Sequence, residues 1–192
     1  MRIPIILTLL AAIATPAAAQ RSPLMMPTRD VTITYRLVGG QDGHPANMEM
    51  SWMAARHTQR MEMPGTGWSV ADHATNTGFI VMDEARRVMD MPASVLRRQL
   101  GAPQDAVFTR EGTETVAGYS CTVWRYQDGA NEGRVCLTSD GVMLRSMITV
   151  RGTAGGVEAV QVTYATQDPA RFLPPAGYQR IPAPPPRERP AR

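Results

Sequence analysis

Alternation of apolar and polar residues with a period of two is the feature that most constrains the fold of this chain. It is clear in DVTITYRLV at residues 30–38 and in NMEMSWM at residues 47–53. Successive side chains of a β-strand point to opposite faces, so this pattern is typical of strands with one buried and one hydrated face. Nine further segments have strand character: RMEM, GWSVADHA, GFIVMD, RVMDMP, AVFTREGTETV, GYSCTVWRY, GRVCLTS, GVMLRSMITVR and GVEAVQVTYATQ.

Turn sequences separate these segments at short and even spacing. They are Gly39-Gly40, Pro64-Gly65, the triplet at 76–78, Asp128-Gly129, Asp140-Gly141 and Gly155-Gly156. Many short strands joined by turns of this chemistry predict an antiparallel meander. We therefore expect a mainly β protein, with a single curved antiparallel sheet or an incomplete β-barrel.

One segment, MPASVLRRQLGA at residues 91–102, breaks the period of two. Pro92 stands near a helix start and Gly101 just past a helix end, which is the usual placement of these residues. Val95, Leu96, Gln99 and Leu100 would form one stripe. Such a short helix is stable only by packing, so we expect it to lie across the sheet.

The N-terminus, MRIPIILTLLAAIATPAAAQR, indicates export. One basic residue precedes an apolar run that is too short for a membrane span, and Ala17 and Ala19 occupy the small-residue positions of a cleavage site. We predict a signal peptide at 1–19, a flexible linker at 20–29, a β domain at 30–179 and a periplasmic location, where a disulfide can form.

The C-terminus, residues 180–192, is rich in proline and arginine and predicts a disordered tail. It holds four arginines against one glutamate, whereas residues 20–179 hold 15 arginines and 16 acidic residues. The body is thus nearly neutral and lacks the basic face of a nucleic-acid-binding protein. The tail could contact an anionic envelope surface, in which case deleting it should weaken sedimentation with anionic vesicles.

Catalytic motifs are missing from the sequence. The chain has no lysine, which excludes a Schiff-base lysine, a Walker phosphate loop and a Ser-Lys dyad. Ser69, Asp72 and His73 are close in sequence, but neighbours on a strand face opposite ways and do not form a triad by spacing alone. We therefore predict that the protein is not an enzyme and needs no cofactor.

The two cysteines, Cys121 and Cys136, flank the turn sequence Asp128-Gly129. A two-residue turn there would set Cys121 opposite Cys136, within the distance that a disulfide tolerates. A longer loop through the residues ANEG would offset the pair. A redox Cys-x-x-Cys is missing, and none of the three histidines has zinc-ligand spacing to either cysteine, so we predict a structural disulfide.

Methionine is unusually frequent, with 13 residues, and three Met-acid-Met triplets occur at 48–50, 61–63 and 89–91. On strands, each triplet would point both thioethers to one face. Unbranched thioethers adapt to irregular guests, so we predict a groove for a lipid or other apolar ligand. The predicted groove residues are Met48, Met50, Trp52, Met61, Met63, Met89 and Met91.

Two alternatives to the groove remain open. Thioethers also select Cu(I), so the Met-x-Met pairs could serve a periplasmic copper-binding protein in which Trp52 and His57 complete the site. The same residues could instead fill an ordinary core, which would leave a structural β domain without a small ligand.

The order of segments over residues 28–179 also resembles a known type of protein. FIVMDEARRVMDMP, GTETVAGYSCTVWRY, VCLTSDGVMLR and DPARFLPPAGYQ follow one another as in uncharacterised exported proteins thought to share the fold of the LolA-type lipoprotein carriers. The resemblance implies an incomplete antiparallel barrel, with a helix over its mouth and an apolar cavity for acyl chains.

Overall fold

The structure, a computed structural model, describes residues 22–39, 47–63, 65, 67–92, 95–96, 106–128, 131–150 and 153–183. These residues form one large, curved, open sheet of twelve strands. The strands are β1 (Val31–Val38), β2 (Asn47–Met53), β3 (Thr58–Met63), β4 (Gly67–Asp72), β5 (Thr77–Met82), β6 (Arg87–Asp90), β7 (Val107–Val116), β8 (Tyr119–Asp128), β9 (Asn131–Leu137), β10 (Met143–Val150), β11 (Thr153–Thr163) and β12 (Gln179–Ile181).

Two antiparallel meanders, β1 to β6 and β7 to β11, build the sheet, and antiparallel pairing of β1 with β11 joins them. The prediction of a mainly β protein with a curved antiparallel sheet is confirmed at this level. One edge differs, because β12 pairs with β6 in parallel, with Arg180 opposite Val88. Parallel neighbours need a long connection, and here β7 to β11 and the segment after them lie between β6 and β12 in the chain.

The principal core lies where the two meanders meet. Side chains of β1 and β2 pack there against residues of β7 to β11, and most of them are fully buried. Its buried members are Val31, Ile33, Tyr35, Met50, Trp52, Val116, Cys121, Cys136, Val142, Leu144 and Ala159. The Tyr35 hydroxyl donates to the Met143 carbonyl at 2.6 Å, which satisfies its buried polar atom.

The predicted helix across the sheet is not supported. In the described part of residues 91–102, only Val95 and Leu96 have helical geometry, and their amides both donate to the Pro92 carbonyl. This is a single turn, with Leu96 buried against Ala71 and Met91. The remaining predicted helix residues, including Gln99 and Leu100, lie outside the described residues. An apolar stripe over so few residues fits one packed turn as well as a helix.

The segment that does cross the sheet is residues 164–178, which we call the C-terminal strap. It contains a 3-10 turn at Pro169–Phe172, and Phe172 is buried against Met53 and Val70. The Arg171 guanidinium bonds Glu49 and Glu62 at 3.2 and 3.1 Å, so an apolar anchor and ion pairs together hold the strap on the sheet.

The pKa of Glu62 connects strap binding to pH. Burial alone would raise this pKa, but hydrogen bonds from Arg60 and Arg171 outweigh burial and hold it below its usual range. A lowered carboxyl pKa stabilises the fold above the unfolded pKa of about 4.3, and that stabilisation is lost as the pH falls through the folded value. At about pH 6 we expect Glu62→Gln to have a lower free energy of unfolding than the wild type. On acidification the variant should lose less of this free energy than the wild type does. Urea unfolding of both proteins from about pH 6 downward measures this difference. Parallel pH profiles of the two proteins would contradict the prediction.

Residues before β1 pack against the sheet, where Met25 and Met26 lie against core side chains. The Thr28 amide donates to the Asp140 carbonyl at 2.9 Å, and the Arg29 guanidinium bonds the Asp140 carboxylate at 2.7 Å. Burial would raise the pKa of Asp140, but hydrogen bonds from Thr138, Arg29 and Tyr164 outweigh it and lower the pKa. Part of the segment that the sequence interpretation assigns to a linker at 20–29 thus makes specific contacts with the sheet.

The β8–β9 hairpin contains the predicted disulfide, Cys121–Cys136, with a Cα–Cα distance of 5.4 Å. Its strand register differs from the two-residue turn at Asp128-Gly129. Asp128 pairs with Asn131, and Val123, rather than Cys121, is opposite Cys136. The offset is two residues, which keeps both cysteines on one face and makes them diagonal neighbours. The longer-loop alternative also predicted an offset, but Asn131, Glu132 and Gly133 of the proposed loop are already paired in β9.

The sequence predicts a turn at Gly155-Gly156, but both residues lie within β11. The reason for glycine is close packing: a Cβ on Gly156 would lie 1.9 Å from the Ser146 carbonyl oxygen of β10. On Gly155 it would lie 3.2 Å from the Gly39 carbonyl oxygen, which is tight but less severe.

We expect Gly156→Ala to lower the free energy of unfolding by about 2 kcal/mol, because the β10 backbone must move to admit the methyl group. Gly155→Ala is the matched control and should cost less. Urea unfolding of both variants tests the comparison, and equal costs would contradict it.

Candidate functional site

The predicted groove residues all occupy one face of β2 to β6, which we call the methionine face. Met50 pairs with Met61, which pairs with Ser69. Ser69 pairs with Ile80, which pairs with Met89. Directly paired residues of a sheet point to the same side, so the thioethers of β2, β3 and β6 share a face. This set comprises Met48, Met50, Trp52, Met61, the backbone position of Met63, Met89 and, just after β6, Met91.

Burial divides these residues into two groups. Met50 and Trp52 are 7% and 1% exposed and belong to the principal core. Met91 is buried separately, beside Ala71 and Leu96. The half-buried members are Met48, Met61 and Met89. The first group packs the interior, whereas the second group reaches solvent and could contact a ligand.

A row of paired residues runs across the strands of the methionine face, and we call it the cross-strand row. Four of its members are half-buried, and Ser69 alone is buried. Ile80 and Ile181 were not among the predicted groove residues, although the alternation in GFIVMD could have identified Ile80. The cross-strand row is Met61, Ser69, Ile80, Met89 and Ile181.

A separate cleft lies elsewhere on the sheet, beside the N-terminal segment. Its volume is about 300 Å³, and Trp124 forms part of its wall opposite Arg110. The other lining residues are Ser22, Pro23, Leu24, Thr122, Leu137, Thr138 and Ser139. Its lining mixes apolar and hydroxyl side chains, so it differs chemically from the methionine face.

Two histidines lie against Trp52 at one end of the methionine face. The Trp52 ring centroid is 5.2 Å from that of His73 and 6.3 Å from that of His57. The indole Nε1 and both ring nitrogens of His73 are buried and have no hydrogen-bond partner among the described residues. Burial lowers the pKa of His73, while Asp72 raises it and His57 lowers it further.

In the turn after β4, Asp72 bonds backbone amides. One carboxylate oxygen of Asp72 accepts hydrogen bonds from the amides of Ala74 and Thr75, at 2.9 and 3.0 Å. Because the carboxylate is engaged there, it does not orient the His73 ring. Across the described ranges, no three or more His, Cys, Asp or Glu residues form a metal-binding group. Nor does any described helix have the length and apolarity to span a membrane.

The chain belongs to the family described as a domain of unknown function, DUF4412, whose model matches residues 25–149. This confirms the expected relation to an uncharacterised family. No match is found among curated proteins.

Solved structures with a similar fold include an uncharacterized conserved protein from Thermus thermophilus, with a TM-score of 0.57 and 12% identity, covering 81% of this chain and 91% of that chain. MucB in complex with MucA(peri) matches with a TM-score of 0.52 and 15% identity, over 79% of this chain and 56% of that chain. A LolA superfamily protein from Nitrosomonas europaea matches with a TM-score of 0.32 and 8% identity, over 78% and 92%. The match to MucB covers 56% of the MucB chain, so this chain spans little more than half the length of MucB.

Proposed function

We propose that this protein is an exported, periplasmic, non-enzymatic binding protein that holds a lipid or other apolar ligand on its methionine face. The observation that carries the proposal is the cross-strand row, whose apolar members are half-buried rather than sealed in the core. A half-buried thioether or isoleucine can exchange contact with water for contact with a ligand. Each Å² of apolar surface that the ligand covers contributes about 25 cal/mol to the binding free energy.

The dimensions of the cross-strand row favour an acyl chain. Its five residues stand on five adjacent strands, β3, β4, β5, β6 and β12. Adjacent strands are about 4.8 Å apart, so the row is about 19 Å long. One leaflet of a bilayer is about 15 Å of hydrocarbon, which is the length of a lipid acyl chain. A straight chain of this length can therefore lie along the row and contact about four of its five residues.

The properties of methionine support the same ligand class. Two of the four apolar residues in the row are Met61 and Met89, and Met82 lies half-buried on the same face. Unbranched thioethers change rotamer easily and so adapt to chains of different length. The MucB complex, a protein of similar fold bound to MucA(peri), adds support for a binding role, with an apolar polypeptide segment as the competing occupant.

A fluorescent fatty acid tests the proposal directly. We expect micromolar binding to the wild type and displacement by unlabelled fatty acid. The double variant Met61→Gln/Met89→Gln should weaken binding by more than about tenfold, because two polar amides replace apolar contacts. Met61→Leu/Met89→Leu keeps the row apolar and should retain binding. Circular dichroism and urea unfolding confirm that the variants are folded.

Two controls separate this site from the alternatives. Met147→Gln changes a half-buried methionine on β10 and should leave binding unchanged. Trp124→Ala alters the separate cleft and should also leave binding unchanged. Loss of binding in Trp124→Ala alone would place the ligand in the cleft and overturn the proposal. Wild-type protein that binds no fatty acid would indicate a structural domain, and it would overturn the proposal as well.

A further inference from the structure

We propose that His57 and His73 bind one Cu(I) ion against the ring of Trp52. This is a metal site separate from the cross-strand row, so it stands whether or not the protein binds a lipid. It also differs from the copper alternative drawn from the sequence, because its donors are imidazoles rather than the Met-x-Met pairs.

Strand pairing brings the two imidazoles together. The last pair between β3 and β4 is Thr58 opposite Asp72, and the same register sets His57 opposite His73 one residue further. The His73 amide donates to the His57 carbonyl at 3.0 Å, so the pairing continues to these residues. Both rings contact Trp52, which places them on the same side of the sheet.

The ring of His73 is prepared to act as a ligand. Neither of its nitrogens has a hydrogen-bond partner in the described part of the chain, and both are buried. A buried polar nitrogen without a partner is unfavourable, and a bound metal ion removes that cost.

The exposed position of His57 gives the site an entrance. His57 follows the 3-10 turn at Ala54–Arg56 and has a left-handed backbone conformation, with φ of 49°. Its side chain is exposed, so its ring can rotate towards an incoming ion while that of His73 stays packed on Trp52.

The donor set favours Cu(I) over Zn²⁺. Structural zinc sites use four protein ligands, whereas the described residues contain no group of three or more His, Cys, Asp or Glu able to hold a metal. Cu(I) accepts two or three ligands, and imidazole suits copper. The electron-rich face of an indole attracts cations, so the Trp52 ring can provide the remaining contact.

Titration of Cu(I) against a chromophoric Cu(I) chelator, with ascorbate as reductant, tests the site. We expect one ion per chain in the wild type. His57→Ala and His73→Gln should each weaken Cu(I) binding by more than about tenfold, since even the loss of an outer-sphere partner costs about 10–100-fold in metal affinity. Trp52→Phe keeps an aromatic face and should retain most of the affinity.

Matched controls isolate the two imidazoles. His44→Ala removes the remaining histidine of the chain and should change nothing. Met89→Leu/Met91→Leu removes one Met-x-Met pair and should also leave the affinity for Cu(I) unchanged. Full affinity in the His57→Ala/His73→Gln double variant would overturn the proposal, and so would loss of affinity only in the methionine variant. Zn²⁺ outcompeting Cu(I) at equal concentration would overturn the choice of metal.

Discussion

Replacing Trp52 with alanine is expected to lower the free energy of unfolding by about 3–5 kcal/mol, the largest effect that we anticipate for a single substitution. Trp52 is 1% exposed and packs in the principal core with Val31 and Ile33. Truncation removes its burial free energy and leaves a cavity that the surrounding strands cannot close fully, because the sheet backbone fixes their positions. Urea unfolding at constant m-value measures the loss.

Trp68→Ala is the matched control for this prediction. Trp68 is half-buried, and the Arg60 guanidinium covers its ring at 3.5 Å. Less of its surface leaves water on folding, so the cost should be smaller than for Trp52. A cost below about 1 kcal/mol for Trp52→Ala would show that Trp52 lines an open groove instead of filling the core.

Removal of the disulfide is the second large effect. The double variant Cys121→Ser/Cys136→Ser should lose about 3 kcal/mol, because the bond closes a loop with a sequence separation of 15. Both cysteines are 2% exposed and belong to the principal core, so their substitution also alters packing of the β8–β9 hairpin against β1 and β2. Chemical unfolding of the oxidised and variant proteins gives the difference.

Intact mass under oxidising and reducing conditions provides the control. Oxidised protein should be two hydrogen masses lighter than the reduced form, and the variant should show no shift. Two free thiols in the exported protein would contradict the bond itself. Equal stability of the variant and the oxidised protein would contradict its structural role.

Strands β1 to β11 could be predicted from local pattern, because each has its own alternation or turn sequence. β12 could not, since Gln179–Ile181 is short and lies among prolines. Its strand conformation comes from pairing with β6, reached only after the strap crosses the sheet. The predicted helix failed for a related reason: Val95 and Leu96 are apolar because one turn packs on Ala71 and Met91. Periodicity over so few residues does not separate these cases.

The sequence predicts on which side of the sheet the candidate site residues lie, but not which of them are exposed. Alternation alone assigns the methionines to one side of each strand, and the strand register brings those sides together. Whether a given side chain is covered depends on contacts with distant strands, as for Met50 in the core and Met61 at its edge. The pairing of His57 with His73 had a usable sequence indication, since both are eight residues from Gly65 in the intervening turn.

Native mass spectrometry of the protein purified from its own compartment is the most direct test of a ligand on the methionine face. We expect a bound mass in the range of a fatty acid or lipid, released on denaturation and missing from Met61→Gln/Met89→Gln. A bare polypeptide mass for the wild type, under conditions that keep a known lipid-binding protein loaded, would contradict the account.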